Sequence, residues 1–246
     1  MPFFSFFKKN NFINPVKVDL HSHFIPGIDD GVKTENESLE LLKELYYLGY
    51  EKIITTPHIF MGVYNNSPEN ILAGLERMKI VIMQAGINLK LEAAAEYYFD
   101  ESFIKNIQTE TLLTFGKKKY VLFELPAMNK PPQVEDAVFE LILKGYQPVL
   151  AHPERYAYYN DKGFEALDKL KSMGVLFQLN ALSLSGFYSP KIQRFATQLI
   201  NKKWIDFVGS DMHNHHYFYG FKSAIQLKSY QKLCTSNQLL NNTLID

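Results

Sequence analysis

Short apolar runs alternate along the chain with longer stretches whose apolar residues recur at helical spacing. The runs are Val16–Leu20, Lys52–Thr55, Leu89–Ala94, Tyr120–Glu124, Pro148–Ala151, Leu176–Asn180 and Asp206–Gly209, each four to six residues long, as strands are. After the first run, Leu39, Leu41, Leu42, Leu45, Tyr46 and Leu48 mark a helix. Thr34 followed three residues later by Glu37 predicts a capping box, and Gly49 a stop. Ser67-Pro68-Glu69 and Ser189-Pro190 each supply an N-cap and a proline for a first turn. Helices over Val134–Lys144 and Phe164–Met173 end at Gly145 and Gly174. Between Tyr97 and Lys119 the pattern is weakest, with a short helical stretch around Phe103–Ile107. From Ser229 the chain turns polar and reads as a final helix or a loose tail.

Seven strand–helix alternations predict parallel strands with helices outside them. Strands that are apolar nearly throughout fit a sheet covered on both faces. No Pro/Gly/Ser-rich linker and no repeat divides the chain, so residues 16–246 are expected to form a single domain behind an N-terminal arm, residues 1–15. The 246 residues match the roughly 250 of one α/β barrel.

Composition narrows the class. Hydrophobic residues make up 46% and charged residues 21%, the balance of a globular protein. Lys plus Arg and Asp plus Glu are both 26, so the chain offers no broad basic track for a nucleic-acid backbone. The single cysteine, Cys234, excludes an internal disulfide and a Cys-rich zinc site, and points to a reducing, cytoplasmic setting. No stretch approaches the roughly 20 apolar residues that span a bilayer. At the N-terminus the lysines follow a very short apolar stretch, Phe3, Phe4, Phe6 and Phe7, which is not the order of a signal peptide. Those phenylalanines are expected to pack on the body of the protein or touch a partner.

The chemistry lies where the predicted strands end. The first ends in Asp19-Leu20-His21-Ser22-His23, with Asp30 in the following Pro26-Gly27-Ile28-Asp29-Asp30-Gly31. His58 follows the second strand, Glu96 the third, Glu124 closes the fourth, His152 follows the fifth, and Asp211 and His213 the seventh. In a parallel barrel these ends converge on one face. Two histidines at i and i+2 on an extended segment point the same way. Imidazoles and carboxylates together suit zinc, manganese or iron. Five histidines and four carboxylates exceed what one tetrahedral ion takes, so two or three divalent ions are expected. Without cations, the crowded carboxylates would repel one another strongly. Asp29 is expected to be a turn residue that points elsewhere, and Asp19 to orient His21. His215 and His216, in an aromatic stretch, read first as surface residues.

Asp-Leu-His-Ser-His with Asp-Asp-Gly, Thr-Pro-His, Ala-Glu, Phe-Glu, Ala-His-Pro-Glu-Arg-Tyr and Gly-Ser-Asp-Met-His-Asn, in this order, resemble the PHP (polymerase and histidinol phosphatase) superfamily. More narrowly they resemble the bacterial tyrosine-protein phosphatases of the CpsB/YwqE type, from about Val16 to Asn214. The resemblance implies a distorted seven-stranded (β/α) TIM-like barrel with three metals, commonly manganese. It carries the ligand set over to His21, His23, Asp30, His58, Glu96, Glu124, His152, Asp211 and His213. It implies a phosphatase of tyrosine-phosphorylated proteins, notably the tyrosine kinase that controls capsule or exopolysaccharide export. Arg155, Asp211 and His213 are the candidates for direct catalytic roles, and Arg155 presents a planar fork suited to phosphate oxygens.

One departure stands out. Members of this group often carry another arginine after the Asp-x-His motif, where this chain reads Asn214-His215-His216-Tyr217-Phe218-Tyr219-Gly220. His215 or His216 is the candidate replacement in holding phosphate. A thiol mechanism is excluded, because it needs an arginine six positions after the cysteine and Leu240 stands there. Hydrolysis by hydroxide activated on a metal remains. Histidinol-phosphate phosphatase, or another small phosphomonoesterase, is the alternative enzyme. A catalytically weak phosphoprotein-binding module is the alternative of another class.

Overall fold

The computed structural model describes residues 14–109, 111–161 and 164–246. The phenylalanines expected to make contacts at the N-terminus lie outside them. Among the described residues the strands are β1 Val18–Leu20, β2 Lys52–Thr55, β3 His58–Ile59, β4 Lys90–Ala93, β5 Glu96–Tyr98, β6 Tyr120–Glu124, β7 Gln147–Ala151, β8 Leu176–Asn180 and β9 Phe207–Gly209. The helices are α1 Glu35–Tyr47, α2 Pro68–Gln84, α3 Glu101–Thr109, α4 Val134–Leu143, α5 Ala157–Asp161, α6 Glu165–Ser172, α7 Pro190–Asn201, α8 His215–Ala224 and α9 Lys228–Ser236.

Local chemistry accounts for most of these boundaries. Thr34 caps α1 by accepting from the Glu37 amide, but the Glu37 carboxylate reaches back to the Lys33 amide rather than to Thr34. Ser67 and Asn70 form the reciprocal box that opens α2. Gly49 follows α1 at φ 94°, a conformation open to glycine at little cost. The weakly patterned stretch after Tyr97 contains α3, and the polar C-terminus forms α9 and a 3-10 turn at Asn241–Leu244 that buries Asn241 and Leu244. It is therefore not a loose tail.

All strand pairs are parallel, in two sheets ordered β1-β2-β4 and β3-β5-β6-β7-β8-β9. Nine strands replace the seven expected because the second and third runs, β2 and β4, are each followed by a further short strand, β3 and β5. Pro57 has no N–H to continue a ladder between β2 and β3. Ala94 and Ala95 make the matching break between β4 and β5.

The first and last strands approach without a regular ladder. Beyond them Ser22 and Met212 form a parallel bridge, and the Asp211 amide donates to His21 O at 2.8 Å. A Cβ on Gly209 would lie 2.0 Å from Leu20 O, so only glycine permits this approach. Asn241 fills the gap lower down: its amide nitrogen donates to Val18 O and Val208 O, and its oxygen accepts from the Val208 amide. Alternate strand residues fall into separate apolar clusters, as a period of two requires. Val121, Phe123 and Leu150 pack with the helices; Leu122, Val149 and Ala151 pack with Val18, Leu20, Phe207 and Leu244.

Candidate metal centre

Every expected ligand lies at or beyond the C-terminal end of a strand run. His21 and His23 follow β1, His58 opens β3, Glu96 opens β5, Glu124 closes β6, His152 follows β7, and Asp211 and His213 follow β9. The β3–β5 register sets His58 opposite Glu96. His21, His152 and Asp211 have φ values of 83°, 33° and 50°. Left-handed backbone at a non-glycine residue costs about 1–3 kcal/mol and persists only when its surroundings hold it. The Asp211–His21 backbone bond and Gln178, whose Oε1 accepts from the His152 amide, supply that hold.

The side chains converge. Glu96 Oε2 lies 2.9 Å from His21 Nε2, 3.6 Å from His23 Nε2 and 3.3 Å from His58 Nδ1. Its other oxygen is 3.1 Å from His152 Nε2. Asp211 Oδ1 lies 3.2 Å from His21 Nε2 and 3.4 Å from His23 Nε2. Asp30 Oδ1 is 3.5 Å from His58 Nε2 and 3.4 Å from His213 Nε2. Glu124 is 3.2 Å from His58 Nδ1 and 3.8 Å from His152 Nε2. Three overlapping groups emerge: His23, Asp30, His58 and His213; His21, His23, Glu96 and Asp211; and His58, Glu96 and Glu124. His152 stands beside Glu96 and Glu124.

Two observations test whether these residues fit divalent ions. Several histidines hand one nitrogen to the protein and aim the other into the carboxylates. Nδ1 of His21 donates to Gln178 Oε1, Nδ1 of His23 to Asp29 Oδ2 and Nδ1 of His213 to Asp211 O, so that in each neutral ring Nε2 would carry the lone pair an ion needs. Buried His23 Nε2, His58 Nδ1 and His152 Nδ1 have no hydrogen-bond partner among the described residues. Separations of 3.4–3.6 Å between His23 Nε2 and its carboxylates are long for hydrogen bonds. Two ligands each roughly 2.1 Å from one tetrahedral ion lie about 3.4 Å apart. The donor set fits.

Electrostatics point the same way. Burial opposes charge on His21, but Glu96 and Asp211 outweigh it and raise its pKa to about 9. His23 is raised well above the usual range, against burial, by Asp29 and Asp211. His58 is raised by Glu96 and Glu124 despite burial. Glu96 and Asp211 resist burial and drop well below the carboxylate range because of the surrounding imidazoles. Without ions, the cluster balances its charge with protons on histidine. His152 differs: burial and Arg155 lower its pKa.

Asp30, Glu124, Arg155 and Tyr217 help line a cavity of about 300 Å³ over the cluster. The Arg155 guanidinium pairs with Asp211 Oδ2 at 3.0 Å and lies over the Tyr188 ring at 4.8 Å. His215 and His216 lie elsewhere, at the start of α8. His215 faces Glu40 at 3.3 Å and His216 packs beside Phe187, because Asn214 caps the helix there and the turn carries Tyr217 to the cavity instead.

The supporting residues differ from the expected ones. The Asp19 carboxylate is taken by the Ser210 amide and hydroxyl, so it ties β1 to β9, and Gln178 orients His21. Asp29 does stabilise its turn through the Gly31 amide, but it is buried, holds His23 Nδ1 at 2.7 Å and accepts from the His58 amide. Asn180 donates to Asp211 Oδ2 at 2.7 Å. Buried Glu154 anchors the Asn180 amide and the Ser183 hydroxyl, and burial pushes its pKa up to about 7. The available signal was a polar residue inside an apolar strand, as in Leu176-Phe177-Gln178-Leu179-Asn180.

Histidines and carboxylates gathered at the strand ends of a parallel α/β fold make a donor set that could hold divalent metal, the mark of a metal-binding protein. The family profile described as "Capsular polysaccharide synthesis, CpsB/CapC" matches residues 17–218, and the chain belongs to that family. Tyrosine-protein phosphatase YwqE of Bacillus subtilis is 30% identical over 197 residues, which is 80% of this chain and 77% of the relative. Tyrosine-protein phosphatase CpsB of Streptococcus agalactiae is 28% identical over 203 residues, 80% of this chain and 83% of the relative. A solved structure from work on YwqE of Bacillus subtilis and CpsB of Streptococcus pneumoniae, described as metal-dependent tyrosine phosphatases, superposes with TM-score 0.77 at 27% identity. That match covers 93% of this chain and 94% of the other.

Proposed function

We propose that this chain is a metal-dependent protein-tyrosine phosphatase of the cytoplasm that acts on a tyrosine kinase of capsule or exopolysaccharide synthesis. The observation that carries this reading is the convergence of His21, His23, Asp30, His58, Glu96, Glu124, His152, Asp211 and His213, with buried His23 Nε2 aimed at two carboxylates but without a hydrogen bond. These residues would hold two or three divalent ions, manganese foremost, with iron and zinc as the other candidates. We read the two sheets as parts of one distorted seven-stranded barrel within a single domain, residues 16–246. The runs of β2 into β3 and β4 into β5, and the links between β1 and β9, support it. No helix among the described residues is long and apolar enough to cross a membrane.

When bound, such ions lower the pKa of water towards neutrality and offset charge on phosphoryl oxygens. Arg155 grips the phosphoryl group with its planar fork at the cavity wall. Asp211 couples that grip to the ligands: one oxygen faces Arg155 and Asn180, the other His21 and His23. His213 is held for its role by the Asp211 carbonyl. A phenol with a pKa of about 10 leaves more readily than an alkoxide and needs little help from a general acid.

The test is hydrolysis of a phosphotyrosyl peptide with and without manganese. Turnover that requires the metal and disappears on chelation supports the reading. Undiminished turnover in stripped protein, or none with manganese restored, overturns it.

A further inference from the structure

The cavity carries aromatic rings that the chemistry above leaves unused. Tyr64 stacks on His58 at 5.4 Å with 14° between planes, His58 lies 4.7 Å from His23, His23 stacks on His213 at 4.1 Å, and His213 lies 4.9 Å from Tyr217. This row of rings bends, because both terminal tyrosines line one cavity and the two outer histidines converge on Asp30 Oδ1. Tyr64 and Tyr217 are each partly exposed, whereas His21, His23 and Glu96 are buried. The innermost ligands therefore sit deep, and Tyr64, Tyr217 and Arg155 line the more open part of the cavity.

Both rings are held in place. Phe60 and Tyr64 exchange backbone hydrogen bonds at 3.0 and 2.7 Å, which closes their loop. Phe60 stacks on Tyr98 at 3.7 Å. Asn214 caps the Tyr217 amide, and Phe187 packs beside the Tyr217 ring at 5.2 Å. Phe60 and Val63 extend the apolar wall on the Tyr64 side. An ester that enters phosphate first leaves its organic group between these walls.

Resting on the phosphatase reading, we infer that Tyr64 and Tyr217 clamp the aromatic ring of the leaving group and make the site select aryl over alkyl phosphomonoesters. Offset and edge-on ring contacts favour an aromatic group beyond its buried area, and an aliphatic chain gains only the burial. The preorganised rings give up little freedom when the ester binds. Specificity for phosphotyrosine over phosphoserine then comes from the wall of the cavity, in addition to the better leaving group.

The experiment compares Tyr64→Leu, Tyr217→Leu, Tyr64→Phe and Tyr217→Phe in manganese-loaded protein, with circular dichroism and metal content as checks of folding. The readouts are KM for a phosphotyrosyl peptide and inhibition constants for phenylphosphonate and methylphosphonate, which need no turnover. Each Leu variant is expected to weaken phenylphosphonate relative to methylphosphonate by roughly three- to tenfold, in KM and inhibition rather than kcat. The Phe variants are expected to keep the wild-type ratio. An unchanged ratio in both Leu variants overturns the clamp, as does an equal loss in the Phe variants, which would assign the effect to the hydroxyls. A protein that binds the phosphonates with this selectivity but hydrolyses no phosphotyrosine refutes the phosphatase reading and leaves the clamp standing.

Discussion

The two ends of the same strands are built on opposite terms. At the N-terminal end Phe115, Tyr120, Phe207 and Leu244 pack in one apolar cluster, and Asn241 satisfies the backbone between β1 and β9. Lys52, buried there, is paired with Glu92 at 2.6 Å. At the C-terminal end five histidines and four carboxylates crowd together, buried nitrogens lack partners, and three of the five described non-glycine residues with positive φ are found. One end lowers the free energy of the fold; the other is stable only because the rest of the molecule holds it. Where strain, unmet polar groups and like charges accumulate without an apolar return, function is the remaining explanation.

The sharpest way to break this contrast is to remove a donor. Asp211→Ala or His21→Ala should lose metal, read by elemental analysis, and lower phosphotyrosine turnover on the order of a thousandfold. A variant that keeps both would refute the assignment of the cluster. At the other end, Phe207→Ala should cost about 3–5 kcal/mol in denaturant unfolding while the folded enzyme keeps its kcat. A large drop in kcat there would blur the division.

Gln178→Leu tests the support between the two ends. It removes the acceptor for His21 Nδ1 and should weaken metal affinity about 10–100-fold, measured by competition with a chelator. The pH dependence of binding follows from the raised histidines. His21, with a pKa near 9 in the metal-free cluster, is protonated at pH 7 and must lose that proton to bind metal. Affinity should therefore rise with pH up to about 9, by about tenfold per pH unit for that proton. A flat profile from pH 7 to 9, followed by calorimetry, would contradict it. The smallest effect is expected at Cys234, which packs against the core away from the cavity and whose thiol is raised by burial to about 11. Cys234→Ser should leave turnover unchanged, and alkylation of the wild type should still be accelerating well above pH 9.

The legible part of the site was its donor chemistry. His21 and His23, at i and i+2, and the carboxylates closing apolar runs are local signals, since burying them unpaired would be costly. The supporting residues were not legible in the same way. Gln178 meets His21 across 157 positions, and Asn241 meets Val18 across 223. Gln178 and Asn180 stand out locally as polar residues inside an apolar strand, but nothing local names their partners. Asp29 shows the same limit at short range: its neighbours mark a turn, and only the fold turns its carboxylate onto His23.

By itself the sequence determined the alternation of strands and helices, their capping residues, and the kinds of donors at the strand ends. Those depend on periodicity and on groups a few residues apart. Tertiary structure decided that two strand runs are each followed by a further short strand, that Asn241 joins β1 to β9, that Tyr217 rather than His215 or His216 lines the cavity, and that Asp19 serves Ser210 and not His21. Each is a choice among partners far apart in the chain. Such choices are settled by the packing that brings them within a few ångströms, where an unmet buried hydrogen bond costs as much as a core methyl group or two.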